Sequence, residues 1–391
     1  MNIRRRWMPG VAVIVFILTS SPLMRGQEAA TGPLAASVKP FVEKQELAGA
    51  VMLVANREKV LSTEVAGWAD IAQKRPMTAD TVFWIASQSK PITAAAVMIL
   101  VDEGKVKLDD PIEKYLPEFR GQMYVAEKTA GQQILRSPSR RITLRDTLCH
   151  TSGMPFKSAL EVPTLDAWPL DLRVRSYAMT PLESHPGARY QYSNAGINTA
   201  ARVIEVVTGK SFDSFLDERL FQPLGMTQTS FWPSQSQADR IAVAYKPGPD
   251  KKGLIPTRID QLYYPLTNRT ERFAMPAGGL FATASDLARF YRMLLNDGSL
   301  DGRQILSPAA VMELTRKQTP VSLKENYGLG LSVGEPDTFG HGGAYSTNSS
   351  ADRKRDLILI WLVQHAGFPG NGEKAQGEFR QAATKAFAKQ K

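Results

Sequence analysis

The chain has 391 residues, of which 43% are hydrophobic and 22% are charged, a composition typical of a globular protein with a large core or two lobes. Its formal net charge is +10. The basic residues are scattered, however, and no nucleic-acid-binding motif is present, so we expect no nucleic-acid partner. The single cysteine, Cys149, excludes an internal disulfide.

The first 26 residues have the pattern of a secretory signal peptide. Three arginines, Arg4, Arg5 and Arg6, precede a short apolar core over residues 11–18. Removing residues 1–26 reduces the 48 basic residues to 44 against 38 acidic residues, a net charge of +6. We therefore predict a secreted or periplasmic protein with no stable membrane span after cleavage. The alternative is an uncleaved membrane anchor, which the short apolar core disfavours.

The N-terminal part of the mature chain predicts a helix followed by a β-hairpin. Residues 34–46 carry apolar positions at helical spacing. Residues 48–55 and 59–67 have the composition of two strands joined by a short turn. An extended apolar run over residues 82–86 then leads into a second helix, which Gly104 is expected to end.

The middle of the chain predicts helices and loops. From residue 142 to about 225 the pattern is helical with intervening loops, and it is clearest over residues 196–208 and 212–221. Residues 120–141 are polar, and we expect irregular structure there. Residues 230–270 are rich in Pro and Gly, and their pattern favours neither helix nor strand.

The C-terminal part returns to strands. A helix is predicted over residues 285–296, with Ser285 as its N-cap. Three strands are predicted, at residues 327–334, 343–351 and 357–364. The last strand is nearly all apolar, so we expect it at the centre of a sheet. A closing amphipathic helix follows over residues 373–389.

Strands near both ends, with helices between them, predict an α+β protein. One antiparallel sheet would be built from both chain ends and flanked by helices. We assign one domain to residues 32–390, with a sheet lobe at about 32–86 and 271–390 and a mainly helical lobe at about 87–270. The cleft between the lobes is the expected place for an active site.

The strongest chemical motif is the pair Ser87 and Lys90. Residues three apart on a helix share a face, so the two side chains can meet at a helix N-terminus. A serine nucleophile needs a nearby base, and a lysine serves if burial lowers its pKa toward neutrality. A Ser-x-x-Lys motif alone is weak, because one occurs by chance in a chain of this length.

Two further segments carry candidate site residues. Tyr192 and Asn194 precede a predicted helix. The Tyr192 phenol could accept or relay a proton if cationic neighbours lowered its pKa, and Asn194 could hydrogen-bond Lys90 or a substrate carbonyl. His341 stands in a glycine-rich segment where a ligand can approach the backbone, and it could donate to substrate or to Tyr192. The structural alternatives are a buried tyrosine, a capping asparagine and a surface histidine.

Other chemistries have less support. The four histidines show no pair at metal-ligand spacing, so we expect no metal, and serine chemistry needs no cofactor. Cys149 beside His150 suggests a cysteine nucleophile, but neighbours in a helix point apart, and a buried side chain is the simpler interpretation.

In order, Ser87-x-x-Lys90, Tyr192-x-Asn194 and His341-Gly-Gly343 resemble the serine β-lactamase and penicillin-binding protein family. The nearest branch is the class C β-lactamases with related esterases and D-amino-acid peptidases. Further segments resemble that branch, namely residues 148–153, 185–187, 221–226 and 276–280. The resemblance extends over roughly residues 32–390.

The resemblance implies a role for each matching residue. Ser87 would be the acylated nucleophile and Lys90 would take its proton. Tyr192 would assist acylation and activate the water for deacylation, and Asn194 would bind a substrate amide or carbonyl. The backbone N–H groups of Ser87 and Ala344 would form the oxyanion hole. His341, with Gly343 after it, occupies the position where β-lactamases usually carry Lys-Thr-Gly.

The resemblance implies a serine hydrolase acting on small ester or amide substrates through an acyl-enzyme. A neutral histidine binds a substrate carboxylate less well than a lysine, which disfavours efficient β-lactam turnover and suits the esterase and peptidase members. A D-Ala-D-Ala peptidase acting on cell-wall peptides and a non-catalytic peptidoglycan-binding protein remain alternatives. The sequence does not indicate an oligomeric state.

Overall fold

The computed structural model describes residues 32–335 and 337–388. The predicted signal peptide therefore lies outside the described residues. The strands are β1 (Gly49–Ala55), β2 (Val60–Asp70), β3 (Arg75–Pro76), β4 (Phe83–Trp84), β5 (Tyr124–Lys128), β6 (Gln133–Arg136), β7 (Ala244–Pro247), β8 (Leu254–Thr257), β9 (Phe281–Ala282), β10 (Ser299–Leu300), β11 (Arg303–Gln304), β12 (Ser332–Gly334), β13 (Thr338–Gly342), β14 (Asn348–Asp352) and β15 (Leu357–Leu362). The α-helices are α1 (Pro33–Glu43), α2 (Ser89–Asp102), α3 (Leu144–Leu148), α4 (Leu170–Ala178), α5 (Asn194–Thr208), α6 (Phe212–Leu216), α7 (Gln222–Leu224), α8 (Gln235–Ala238), α9 (Ala284–Leu295), α10 (Pro308–Thr315) and α11 (Ala375–Phe387).

Seven strands form one antiparallel sheet in the order β12-β13-β14-β15-β1-β2-β3. The join between the two chain ends is the pair β1 and β15, in which Val51 lies opposite Leu362. The predicted sheet from both chain ends is thus confirmed, and the apolar strand near the C-terminus lies at its centre as expected.

Both faces of this central pair are covered, which explains why its strands are almost wholly apolar. Along β1, Val51 and Leu53 face the main core with the helices of the middle of the chain. The alternate residues Met52 and Val54 face a second core formed with α1 and α11. Successive side chains of a strand point to opposite faces, so a strand between two layers has no polar side.

The helical part is organised around α5, which packs against α2, α3, α4 and α6. Ser193 caps α5, because its hydroxyl accepts a hydrogen bond from the Gly196 amide at 3.0 Å. The predicted helix over residues 212–221 is present as α6 with a π-helical turn, Asp217–Phe221. The α+β fold class is confirmed. The lobe boundaries near residues 87 and 270 stay a prediction. Among the described residues, no helix has the length and apolar character required to cross a bilayer.

Several local predictions were wrong, the most important at β13. We predicted a strand only from residue 343, whereas Thr338–Gly342 is itself a strand that carries His341. Its Thr-Phe-Gly-His-Gly sequence has no apolar alternation. Gly340 permits the pairing, since an added Cβ would lie 2.2 Å from the Ser349 carbonyl oxygen of β14.

Three other errors have simple causes. Residues 120–141 contain the β5–β6 hairpin, whose second strand is exposed on both faces and so lacks a hydrophobic pattern. Of the strand predicted over 327–334, only Ser332–Gly334 forms β12. Helix α9 is capped by Thr283, whose hydroxyl accepts from the Asp286 amide at 3.3 Å, and Ser285 lies inside the first turn.

Candidate active site

Ser87 lies in a single 3₁₀ turn, Ala86–Gln88, immediately before α2. Ala86 has a φ of 47°, in the left-handed region that non-glycine residues rarely adopt, and such strain is typical of functional sites. Ser89 holds the turn, because its hydroxyl donates to the Ala86 carbonyl at 2.7 Å and accepts from the Leu280 amide at 3.2 Å. The turn leaves Ser87 partly exposed while its neighbours are buried.

Lys90 is fully buried directly below Ser87. Its Nζ atom lies 3.0 Å from the Ser87 hydroxyl, 2.9 Å from Asn194 Oδ1 and 2.7 Å from the Ala277 carbonyl oxygen. In the described part of the chain no carboxylate forms an ion pair with this amine. Burial without a counter-charge therefore lowers the pKa of Lys90 well below its usual value.

The neighbours of Lys90 determine how a neutral amine is oriented. A neutral amine has two N–H groups and one lone pair. The oxygens of Asn194 and Ala277 can only accept, so they take the two N–H groups. The lone pair is left facing the Ser87 hydroxyl, which donates to it. This is the arrangement that a general base needs before it removes a proton from a serine.

Tyr192 lies close to both Ser87 and Lys90. Burial raises the pKa of its phenol to about 12, while a hydrogen bond with the Ser87 hydroxyl opposes that rise. The sequence-based idea of a phenol with a lowered pKa is therefore not supported, and Tyr192 is a protonated hydroxyl. Lys90 Nζ lies 4.6 Å from the centre of its ring. Phe156, 43% exposed, stacks on the same ring at 6.2 Å between centroids.

Two residues that the sequence analysis missed, Asn198 and Ala277, support Lys90. Asn198 lies one turn after Asn194 on α5, and its Oδ1 accepts from the Ala277 amide at 3.0 Å. The same residue, Ala277, presents its carbonyl to Lys90. Helix α5 thus holds Lys90 directly through Asn194 and indirectly through Asn198. The i, i+4 spacing of the two asparagines was the available signal.

His341 is 8% exposed, and both of its ring nitrogens face protein groups. Nε2 lies 2.9 Å from the Tyr327 hydroxyl, and Nδ1 contacts the Gly342 carbonyl. Its ring centre is 6.1 Å from that of Tyr192, and the hydrogen bond is made to Tyr327 instead. Burial, with a smaller contribution from the nearby Lys90, lowers the pKa of His341 to about 3. The side chain is neutral at physiological pH.

Gly343 and Ala344 follow β13 and lie against the turn that contains Ser87. An added Cβ on Gly343 would lie 2.3 Å from the Ile85 carbonyl oxygen and 2.3 Å from Thr347 Oγ1, so only glycine fits. Ile85 is two residues before Ser87. This close approach brings the Ala344 backbone beside the turn that contains Ser87, where the predicted oxyanion hole requires it.

The cysteine alternative loses support. Cys149 is buried, and burial raises the pKa of its thiol to about 11, so it is not a thiolate at neutral pH. His150 points elsewhere, towards Tyr327 at 3.2 Å. Within residues 32–335 and 337–388 no group of three or more His, Cys, Asp or Glu side chains is placed to hold a metal ion.

Comparisons with known proteins agree with this geometry. The sequence profile of the Beta-lactamase family matches residues 34–383. Protein Rv1367c of Mycobacterium tuberculosis is 35% identical over 363 residues, which cover 84% of this chain and 89% of that protein. Esterase EstB of Burkholderia gladioli is 31% identical over 371 residues, covering 83% of this chain and 88% of that protein.

Solved structures share the fold. EstCE1, described as a hydrolase with promiscuous acyltransferase activity, has a TM-score of 0.74 at 22% sequence identity and covers 90% of this chain and 97% of that one. Together these matches define an enzyme, a serine hydrolase with the β-lactamase fold. The chain belongs to the Beta-lactamase family. The predicted family resemblance is confirmed, whereas the roles of the individual site residues stay predictions.

Proposed function

We propose that this protein is an esterase-type serine hydrolase that cleaves small, uncharged esters through an acyl-Ser87 intermediate. The observation that carries the proposal is the contact between Ser87 and the buried amine of Lys90, 3.0 Å apart. Similarity to a relative named Esterase EstB supports esters as the class of substrate. Cleavage of amides, including β-lactams, is the secondary activity to test.

In the acylation step, Ser87 Oγ attacks the carbonyl carbon of the ester and its proton passes to Lys90 Nζ. The resulting oxyanion accepts hydrogen bonds from the backbone N–H groups of Ser87 and Ala344. When the tetrahedral intermediate collapses, the bond to the alcohol oxygen breaks. The leaving alkoxide takes the Tyr192 hydroxyl proton, and Lys90 returns its proton to the phenolate.

Deacylation repeats these steps with water as the nucleophile. As the water attacks the acyl carbon, its proton passes to the Tyr192 oxygen while the phenol proton moves to Lys90 Nζ. Collapse of the second intermediate breaks the bond to Ser87 Oγ, and Lys90 gives its proton to that oxygen. The products are a carboxylic acid and the free enzyme. Asn194 keeps Lys90 oriented throughout.

The uncharged state of His341 is the reason for preferring uncharged esters. A cephalosporin and a D-Ala-D-Ala peptide each carry a carboxylate that a cationic residue would bind. His341 is neutral, and its two ring nitrogens already contact Tyr327 and Gly342. The position where β-lactamases usually carry Lys-Thr-Gly therefore supplies no fixed positive charge for such substrates.

The test is a set of initial rates on a short-chain aryl ester, a chromogenic cephalosporin and a D-Ala-D-Ala peptide. We expect the ester to have the highest kcat/KM, and Ser87→Ala to abolish turnover. Cys149→Ala is the control and should keep wild-type rates. Preference for the peptide would establish the peptidase alternative instead. If the protein binds ligand but shows neither turnover nor acylation of Ser87, the alternative of a non-catalytic binding protein would be established.

We also propose that residues 1–26 direct export and are removed. The basic start and the short apolar core support this. Expression in a Gram-negative host, followed by fractionation and N-terminal sequencing, tests it. A mature N-terminus near residue 27 in the periplasm or medium is expected. A full-length chain in the membrane fraction would support the uncleaved anchor.

A further inference from the structure

Three buried side chains, His150, Tyr327 and His341, form a continuous hydrogen-bond chain behind the active site. The Tyr327 hydroxyl is the middle member, 3.2 Å from His150 Nε2 and 2.9 Å from His341 Nε2. The exposed fractions of the three side chains are 0%, 3% and 8% in chain order. None of the three has a role in the chemical steps above.

Backbone groups at the two ends fix the direction of every bond in this chain. The Ser193 amide can only donate, and it lies 3.1 Å from His150 Nδ1, so that nitrogen carries no proton. The Gly342 carbonyl can only accept, and it contacts His341 Nδ1, so that nitrogen carries the proton. Each neutral imidazole has one N–H, and the two rings are therefore opposite tautomers.

The order of donation follows from these two tautomers. His150 donates from Nε2 to the Tyr327 oxygen, Tyr327 donates to His341 Nε2, and His341 donates from Nδ1 to the Gly342 carbonyl. Every donor and acceptor along this line is used. Because both ends are backbone groups, the chain has no outlet for a proton, and its role is to hold structure in place.

The two ends of the chain contact two different segments of the candidate site, the segment around Tyr192 and the end of β13 that leads to Ala344. His150 holds the segment around Tyr192 on both sides, since its carbonyl accepts from the Gln191 amide at 2.7 Å while its ring accepts from the Ser193 amide. The ring centres of His150 and Tyr192 are 4.5 Å apart. At the other end, Gly342 stands two residues before Ala344.

We propose that His150 and Tyr327 are positioning residues that set the separation between the Tyr192 phenol and the Ala344 amide. This inference rests on the proposed function, in which the phenol protonates the leaving group while the amide binds the oxyanion. These groups act on different atoms of one transition state. A shift of the Tyr192 segment relative to the Ala344 segment should therefore slow the chemical step more than it weakens substrate binding.

The first variant is Tyr327→Phe, which removes one hydroxyl and keeps the ring. We expect kcat on an aryl ester to fall about tenfold to a hundredfold, with KM within about twofold of wild type. Tyr190→Phe is the matched control. Its ring is 5.6 Å from that of Tyr327, and no hydrogen bond from its hydroxyl to either histidine is found among the described residues. An unchanged kcat in Tyr327→Phe, or an equal loss in Tyr190→Phe, would overturn the proposal.

A second variant tests whether the chain acts as a unit. His150→Asn keeps an oxygen that can accept from the Ser193 amide but ends short of Tyr327. We expect the double variant with Tyr327→Phe to lose no more activity than the worse single variant, because either change breaks the same chain. Additive losses would show two independent structural defects and would contradict the proposal.

The tautomers are measurable without any turnover, which separates this inference from the proposed function. The protein has four histidines, so ¹⁵N-labelled histidine gives a simple spectrum of the full chain. We expect His150 to be protonated at Nε2 alone and His341 at Nδ1 alone, and Tyr327→Phe to perturb both signals, which identifies them. His365, whose Nε2 accepts from the Ala48 amide, is a second ring protonated at Nδ1, and Tyr327→Phe should leave its signal unchanged. Other tautomers would refute the chain even if the enzyme is active. An inactive wild type with these tautomers would refute the proposed function alone.

Discussion

The Nζ atom of Lys90, a fully buried lysine, lies 3.0 Å from the hydroxyl oxygen of Ser87. The amine has two further neighbours, the Asn194 amide oxygen and the Ala277 carbonyl. Both accept hydrogen bonds and neither carries a charge. Burial, rather than a neighbouring positive charge, therefore lowers the pKa of this lysine, since desolvation disfavours the ammonium form.

Replacing Lys90 separates its two possible contributions, positive charge and basicity. Lys90→Arg keeps a cation that cannot lose its proton, and Lys90→Met keeps the approximate length without a base. Both variants should lower kcat/KM on an aryl ester by roughly 10³-fold, the usual range for a general base. Steady-state rates, with circular dichroism as the control for folding, measure this. A Lys90→Arg enzyme near wild-type activity would show that charge is what matters.

The pH dependence of activity should follow the protonation of Lys90. The base must be unprotonated to act, so kcat/KM should rise with pH and then reach a plateau. Because burial holds the pKa of Lys90 well below its usual value, the plateau should be reached well before the pH at which an ordinary lysine loses its proton. The pKa of Tyr192 is about 12, so the phenol stays protonated and no alkaline decline is expected up to pH 10. Rates that continue to climb from pH 8 to 10 would show a lysine of ordinary basicity.

Gly343 should be intolerant of any side chain, whereas its neighbour Gly342 should accept one. A Cβ on Gly343 would lie 2.3 Å from the Ile85 carbonyl oxygen, so Gly343→Ala must displace the backbone before Ala344. We expect kcat to fall by about 10²-fold, as when one oxyanion donor is lost.

Gly342→Ala is the control for this prediction, because its Cβ would be 3.5 Å from the nearest atom, Asn348 Nδ2, an ordinary contact. It should change kcat by about twofold or less. Kinetics of the two variants side by side give the result. Equal activity in both would mean that the Ala344 amide takes no part in catalysis.

His365 should make the fold sensitive to acid. Its Nε2 accepts from the Ala48 amide at 3.1 Å, and burial lowers its pKa to about 4. The unfolded chain, with an ordinary histidine pKa near 6.5, therefore takes up the proton first as the pH falls. The contribution of His365 to the free energy of unfolding, about 3 kcal/mol, is fully present above pH 6.5 and is lost as the pH falls towards 4.

His365→Gln can retain an acceptor for Ala48 without this titration. Urea unfolding at pH 6.5 and pH 4 should show a smaller loss of unfolding free energy in the variant than in wild type. His185→Gln, at a partly exposed histidine, is the control and should resemble wild type. The same loss in all three proteins would exclude His365 as the source.

Local patterns were enough to predict the sheet core and the contact between Ser87 and Lys90. The apolar run that became β15 and the β1–β2 hairpin were visible as short strands. Ser87 and Lys90 were recognisable from the sequence because side chains three residues apart on a helix lie on the same face and can meet. In each case the signal lies within a few consecutive residues.

The remaining parts of the site depend on contacts between distant residues, which local patterns do not contain. His150 and Tyr327 are 177 positions apart, and Asn198 meets Ala277 across 79 positions. Strand β13 was missed because its pairing depends on glycine and on the neighbouring backbone rather than on apolar side chains. The lowered pKa of Lys90 was stated only as a condition, because burial is a property of the whole fold.

The most direct test of the account is covalent labelling of the nucleophile. The mature protein and its Ser87→Ala variant would be incubated with a fluorophosphonate ester, and intact-mass spectrometry with peptide mapping would locate the label. We predict one label per wild-type chain, on the peptide that contains Ser87, with matching loss of esterase activity, and no label on a folded Ser87→Ala variant. Labelling of another residue, or wild-type turnover by Ser87→Ala, would contradict the assignment of Ser87 as the nucleophile.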